Sequence, residues 1–169
     1  MVLLGPPGSG KTTVGFELER LGLRWREWEL TILGRWGSHD NFVANKVEGL
    51  RLLHDEIRAF IEQPGPPAAI ETTGLSDAPF LDRLGTDHTA FVVRFDVSEE
   101  TCARRVVDRD RGRHLTDDVE KSRAIWREFY EHVAPRRHVD LVVDTERTLP
   151  STAAALIVTA MGPRAPGDG

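Results

Sequence analysis

Near its start the chain reads Gly5-Pro6-Pro7-Gly8-Ser9-Gly10-Lys11-Thr12, which fits Gly-x-x-x-x-Gly-Lys-[Ser/Thr] at each fixed position and follows the apolar run Val2-Leu3-Leu4. Each residue type has a mechanical reason to be there. Glycines let the backbone take positive φ and turn its N–H groups inward, and they admit a phosphate without side-chain obstruction. The lysine places a point charge at the β- and γ-phosphates, and the hydroxyl that follows can ligate Mg²⁺. Val14, Leu18 and Leu21 recur at i, i+4 and i+7 before Gly22, so the loop opens a helix whose N-terminus favours an anion. Strand, loop and helix in this order imply a nucleoside triphosphate site built from Gly5, Gly8, Ser9, Gly10, Lys11, Thr12 and Thr13.

Beyond the loop, strand and helix patterns alternate. Residues 23–29 read as a second strand. Residues 41–63 read as a long helix with Val43, Val47, Leu50, Ile57 and Ile61 on one stripe, ended by Gln63-Pro64-Gly65-Pro66-Pro67. Strands follow at 68–74, 89–97 and 139–145. Helices are expected at 78–85, 99–108, 119–133, with Asp117 or Asp118 as N-cap, and 151–161. Such alternation predicts a mainly parallel sheet with helices on both faces. At 169 residues the chain suits a single domain over 1–161, with 162–169 as a disordered tail.

Charge narrows the partners. A formal charge of −5 and a sequence pI near 5.7 supply no basic field for nucleic acid. The lone Cys102 cannot form an internal disulfide and reads as a small buried hydrophobe. With no signal peptide and no long apolar run, the expectation is a cytoplasmic protein without a membrane segment. The six histidines, His39, His54, His88, His114, His132 and His138, show no metal-ligand spacing with cysteine or carboxylate partners.

Three groups of residues can carry chemistry. Glu27 and Glu29 alternate within the expected second strand and would project on one side together with Trp25. Glu71 ends an apolar strand, followed by Thr72, Thr73 and Gly74, a position suited to holding Mg²⁺ through water or to acting as base. Arg104, Arg105, Arg109, Arg111 and Arg113 crowd one helix end and the loop after it; arginine binds phosphate oxygens bidentately and never loses its charge.

Gly5-to-Gly15, the Glu27-Trp28-Glu29 pair, Arg109-Asp-Arg-Gly-Arg-His-Leu115 and Val142-Val-Asp-Thr-Glu-Arg-Thr-Leu-Pro150 together resemble the shikimate-kinase and gluconate-kinase group of small P-loop kinases. The resemblance implies a three-layer P-loop NTPase fold with a five-stranded parallel sheet in the order 2-3-1-4-5 and an arginine-rich lid at about 108–118. It further implies ATP and Mg²⁺ as cofactors, with Glu27 in the metal's water shell, Glu29 as base towards the acceptor hydroxyl, and Arg109 and Arg113 as lid arginines, Arg113 because Arg-His-Leu is similar to that group's Arg-Pro-Leu. It makes Thr145, Glu146 and Arg147 candidates for packing against the adenine. Glu71 stays a rival for the metal or the base.

Two departures argue against shikimate as acceptor. Thr72-Thr73-Gly74 replaces the group's glycine-rich turn, and Glu131 and His132 stand where an arginine would clamp the substrate carboxylate. Arg35 and Arg51 are candidates for an anionic acceptor, and Trp25, Trp28, Trp36 and Phe42 for a stacking wall. The expected function is transfer of the γ-phosphate to a small-molecule hydroxyl. Alternatives are a nucleoside, nucleotide or 5′-hydroxyl polynucleotide kinase and a regulatory ATPase without transfer.

Overall fold

A computed structural model describes residues 1–88, 90–109, 114 and 117–162. Its centre is β1 (Val2–Leu4), buried along its whole length. β3 (Ala68–Thr72) pairs with one edge of β1 and β4 (Val92–Asp96) with the other, both parallel, with Val2 opposite Ile70 and Val92. The two-residue β2 (Arg24–Trp25) lies outside β3 and β5 (Leu141–Asp144) outside β4, giving the all-parallel order β2-β3-β1-β4-β5.

Both faces of the sheet are covered, as a parallel sheet requires. On one face Leu3 and Phe95 pack with Val14 and Leu18 of α1 (Lys11–Arg20) and Ala153 and Ile157 of α8 (Pro150–Met161). On the other, Val2 and Ile70 meet Trp28 and Ile32 of α2 (Trp28–Trp36), Phe42 of α3 (His39–Ala44), Leu53 and Ile57 of α4 (Lys46–Glu62) and Phe80 of α5 (Ala78–Asp87). α6 (Glu99–Asp108) follows β4 under an N-cap from Ser98, whose hydroxyl accepts from Thr101 N. α7 (Val119–Glu128) starts under Asp118, which accepts from Glu120 N and Lys121 N, and runs on as a π-helical turn, Phe129–Val133. Among the described residues no helix is long and apolar enough to cross a membrane.

Two expected elements are corrected. The strand expected at 23–29 stops at Trp25, and a helix begins at Trp28 with Glu27 as its N-cap. The period that decides is Trp28 to Ile32, i to i+4, which seats both side chains in the core. The helix expected at 41–63 is two helices broken at Asn45, where φ −114° and ψ 28° depart from the helix. Side-chain bonds compete with the helical ladder there: Asn41 Nδ2 donates to Trp36 O and Asn45 Nδ2 to Asn41 O, each at 2.9 Å. In the expected lid at 108–118, residues 110–113, 115 and 116 lie outside the described residues, Arg113 among them, as does 163–169 of the expected tail.

Candidate active site

The loop between β1 and α1 sits at the C-terminal edge of the central strand, where a parallel sheet opens a crevice. Gly8 has φ +78°, and a Cβ there would lie 2.6 Å from the carbonyl oxygen of Cys102, so the loop packs on α6 only because that residue is glycine. Ser9 is wholly buried. Lys11 Nζ donates to the carbonyls of Gly5 and Pro6 at 2.8 and 2.9 Å, folding the ammonium back over the loop. Burial lowers its pKa, opposed by the charges of Glu71 and Glu29.

Thr12, in the first turn of α1, donates from Oγ1 to Glu71 Oε2 at 2.9 Å and Oε1 at 3.2 Å. A hydroxyl and a carboxylate sharing one point at the foot of a phosphate loop fit Mg²⁺, which takes one or two protein oxygens and fills its octahedron with water and phosphate. Desolvation pushes Glu71 up to about 7, with Glu29 and Glu27 adding to the rise and Lys11 and the Thr12 hydroxyl opposing it.

Glu27 and Glu29 line the same cleft of about 1250 Å³ as Lys11, Thr12, Thr13 and Glu71. The geometry that brings them there is not the expected strand alternation. Glu27 caps α2 and Glu29 belongs to its first turn, where the field of the helix N-terminus favours a carboxylate. Trp25, expected beside them, is instead buried under α1, so close to Gly15 that a Cβ there would lie 2.3 Å from the indole.

From the segment between α6 and α7, His114 Nδ1 approaches Glu29 Oε2 to 2.9 Å. Arg109 also lines the cleft; its Nε lies 3.7 Å from Asp117 Oδ1. Burial lowers the Arg109 pKa, opposed by Glu29 and Asp117.

At the other end, Arg105 of α6 braces the phosphate loop. Its Nη1 donates to Gly8 O and Thr145 Oγ1, both at 3.2 Å, its Nη2 donates to Thr145 O at 2.6 Å, and Thr145 Oγ1 donates to Ser9 O at 2.9 Å. Glu146 accepts from Ser98 N at 2.8 Å and from the Ser98 hydroxyl, bonds that hold its carboxyl down at about 2. Arg147, expected at the nucleotide, is 88% exposed beside Asp144, while Thr145, Thr148 and Pro150 face the cleft.

The end of the cleft remote from Arg105 is apolar, with Trp28, Ile32, Phe42, Leu53 and Phe80 in its wall and Thr73, Ser76 and Asp77 as polar points. Asp77 is fixed by Thr72 Oγ1 at 2.6 Å and His54 Nε2 at 3.0 Å, and His54 stacks on Phe80 at 4.3 Å between centroids. Arg51 is tied to Glu48 and Asp55 on the exposed face of α4, and Arg35 to Glu56. Trp36 packs edge-on against Phe42 at 5.3 Å. Asp77, His54 and the role of His114 have no signal in the sequence; Arg105 belongs to the arginine cluster read there, whose lid resemblance points at the loop rather than at the helix.

No protein-family model matches the chain. The shikimate kinase of Thermobifida fusca (strain YX) is 34% identical over 165 residues, spanning 92% of this chain and 91% of that protein. Among solved structures, a shikimate kinase from Acinetobacter baumannii in complex with shikimate superposes with a TM-score of 0.68 at 24% identity, covering 95% of this chain and 90% of that one. A deoxyadenosine kinase from M. mycoides with bound dATP has the same fold at 14% identity, with a TM-score of 0.59 over 96% of this chain and 98% of that one.

Proposed function

The chain belongs to the shikimate kinase family, and from that premise we propose that it moves the γ-phosphoryl group of Mg²⁺-bound ATP to a hydroxyl of a small molecule other than shikimate. The observation that carries this reading is the convergence of Lys11, the Thr12–Glu71 pair and Glu29 on one cleft. A switch that only binds nucleotide has no use for a carboxylate poised opposite the phosphate.

Backbone N–H groups of the loop from Gly8 to Thr13 and the start of α1 hold the phosphate oxygens, and Lys11 exchanges the loop carbonyls for the β- and γ-phosphates. Thr12 and Glu71 hold Mg²⁺, Glu71 directly or through water, with Glu27 in its outer hydration. Held there, Mg²⁺ would supply positive charge against the phosphates. Glu29 orients the acceptor hydroxyl and takes its proton as the oxygen–phosphorus bond forms; the electron pair of the broken phosphoanhydride bond leaves with ADP. Arg109, which lines the cleft, neutralises charge on the transferred group, a role that the resemblance extends to Arg113.

The acceptor end supports an uncharged, ring-bearing hydroxyl compound. Its wall is apolar, Arg51 of α4 is committed to Glu48 and Asp55, and Glu131 and His132 are exposed on the π-helical turn. A carboxylate desolvated against that apolar wall would lose hydration, and neither Glu131 nor His132 offers it the bidentate fork of an arginine.

The test is label transfer from γ-labelled ATP into pooled acceptors: neutral sugars and cyclitols, hydroxylated aromatics, nucleosides, 5′-hydroxyl oligonucleotides, and shikimate on its own. Label is expected in a neutral pool and not in shikimate. Label in shikimate overturns the acceptor assignment; label recovered only as free phosphate at one slow rate overturns transfer.

A further inference from the structure

We propose that His114 is a positioning residue for phosphoryl transfer, its Nδ1–H holding the Glu29 carboxylate in the orientation from which it receives the acceptor's proton. The proposal rests on Glu29 being the base and adds how that base is kept in place.

A glutamate side chain carries three rotatable bonds, and a general base must sit about 2.6–3.2 Å from the proton it takes. Trp28, buried beside it, fixes the backbone of α2 but leaves the Glu29 side chain to find its own restraint. His114 supplies one from 85 residues away, at 2.9 Å, with the two side chains 17% and 30% exposed. That burial sets the contact apart from an exposed ion pair, which solvent and salt would weaken.

The atoms dictate the tautomer. An ionised carboxylate offers only acceptors, so an imidazole nitrogen 2.9 Å away must carry the proton, and the ring is Nδ1–H whether or not Nε2 is protonated. When the acceptor O–H bond breaks, its proton goes to Glu29; the proton on Nδ1 stays where it is throughout. His114 acts through Glu29 without entering the proton transfer.

The experiment compares wild type, His114→Ala, His114→Asn, Glu29→Ala and the double variant H114A/E29A in the acceptor pool that wild type labels. Asparagine presents an amide N–H near the position of Nδ1–H; alanine presents none. His114→Ala should lower kcat roughly 10- to 100-fold, the scale of a misplaced catalytic group, with KM for ATP unchanged. Asparagine should restore most of the rate, and the double variant should be no slower than Glu29→Ala. Imidazole ¹⁵N shifts should show His114 as Nδ1–H in wild type and not in Glu29→Ala. Wild-type kcat in His114→Ala, equal losses with alanine and asparagine, or additive losses in the double variant each overturn the positioning role while leaving the kinase standing. A wild type that labels no acceptor removes the kinase reading and this proposal together.

Discussion

The Thr12 hydroxyl donates to both carboxylate oxygens of Glu71, at 2.9 and 3.2 Å, joining the first turn of α1 to the end of β3 across 59 residues of chain. Neither residue reaches this point by its own local structure. It takes the pairing of β1 with β3, with Leu3 opposite Glu71, to put the end of one strand beside the helix that follows the other. A desolvated acid, a hydroxyl and a lysine then share the floor of the phosphate site.

Glu71 makes the nucleotide-free protein sensitive to pH. Its folded pKa of about 7 lies above its ordinary 4.5, so its contribution to stability is fully present below pH 4.5 and is lost as pH rises through 7. Thermal midpoints of the nucleotide-free chain should fall across that window more steeply in wild type than in Glu71→Gln. Equal slopes would rule Glu71 out as the group responsible.

Binding of Mg²⁺ and nucleotide should expel that proton, because a cation beside Glu71 favours its ionised form. Calorimetry near pH 6.5 in buffers of different ionisation heat should show net proton release for wild type and a smaller release for Glu71→Gln. Proton uptake would contradict the metal assignment.

Glu29→Gln should cut transfer by roughly 10²- to 10⁴-fold, the usual range for a lost general base, and leave ATP affinity unchanged. A large loss of transfer in Glu71→Gln beside a near-normal Glu29→Gln, with ATP binding intact in both, would move the base to Glu71.

Arg105→Met keeps the length of the stem and removes three hydrogen bonds that tie Gly8 and Thr145 together. Loss of roughly 1–3 kcal/mol of stability is expected from the carbonyls left behind, together with weaker ATP binding. Denaturant unfolding and calorimetry read the two effects separately; intact ATP affinity would show that the loop holds its shape without the brace.

Gly15→Ala tests the packing under α1. The added Cβ would meet Trp25 at 2.3 Å, and overpacking of this kind costs about 1–3 kcal/mol, which for a chain of this size is about 2–4 °C in Tm per kcal/mol. An unchanged Tm would mean that β2 and α1 are free to separate.

Local signals made much of this readable from the sequence. The phosphate loop and α6 (Glu99–Asp108) stand where the sequence pattern put them, and α7 starts under Asp118, one of the two cap residues the sequence offered. Glu27 and Glu29 misled because a strand and a helix start both place charges beside tryptophans over so short a span, and β2 is only two residues long. They reached the expected cleft through different backbone. Arg105 with Thr145, and His114 with Glu29, span 40 and 85 residues; such contacts depend on the assembled sheet and leave no periodic trace in the chain. Asp77 and His54 were hidden the same way, each an ordinary helix-end or helix-face residue until α4 and α5 pack together.

The strand order divides labour about β1. β3 and the connections leaving β2 and β3 bring Glu71, Glu27, Glu29 and Asp77, while the connections leaving β4 and β5 bring Arg105 and Thr145. The apolar side chains of α2 to α5, Ile32, Phe42, Leu53 and Phe80, are therefore the part of the cleft that can change shape without touching the residues assigned to the phosphates, the metal or the base. Chimeras that exchange residues 31–67, leaving Glu27 and Glu29 in place, are the natural place to look for new specificities.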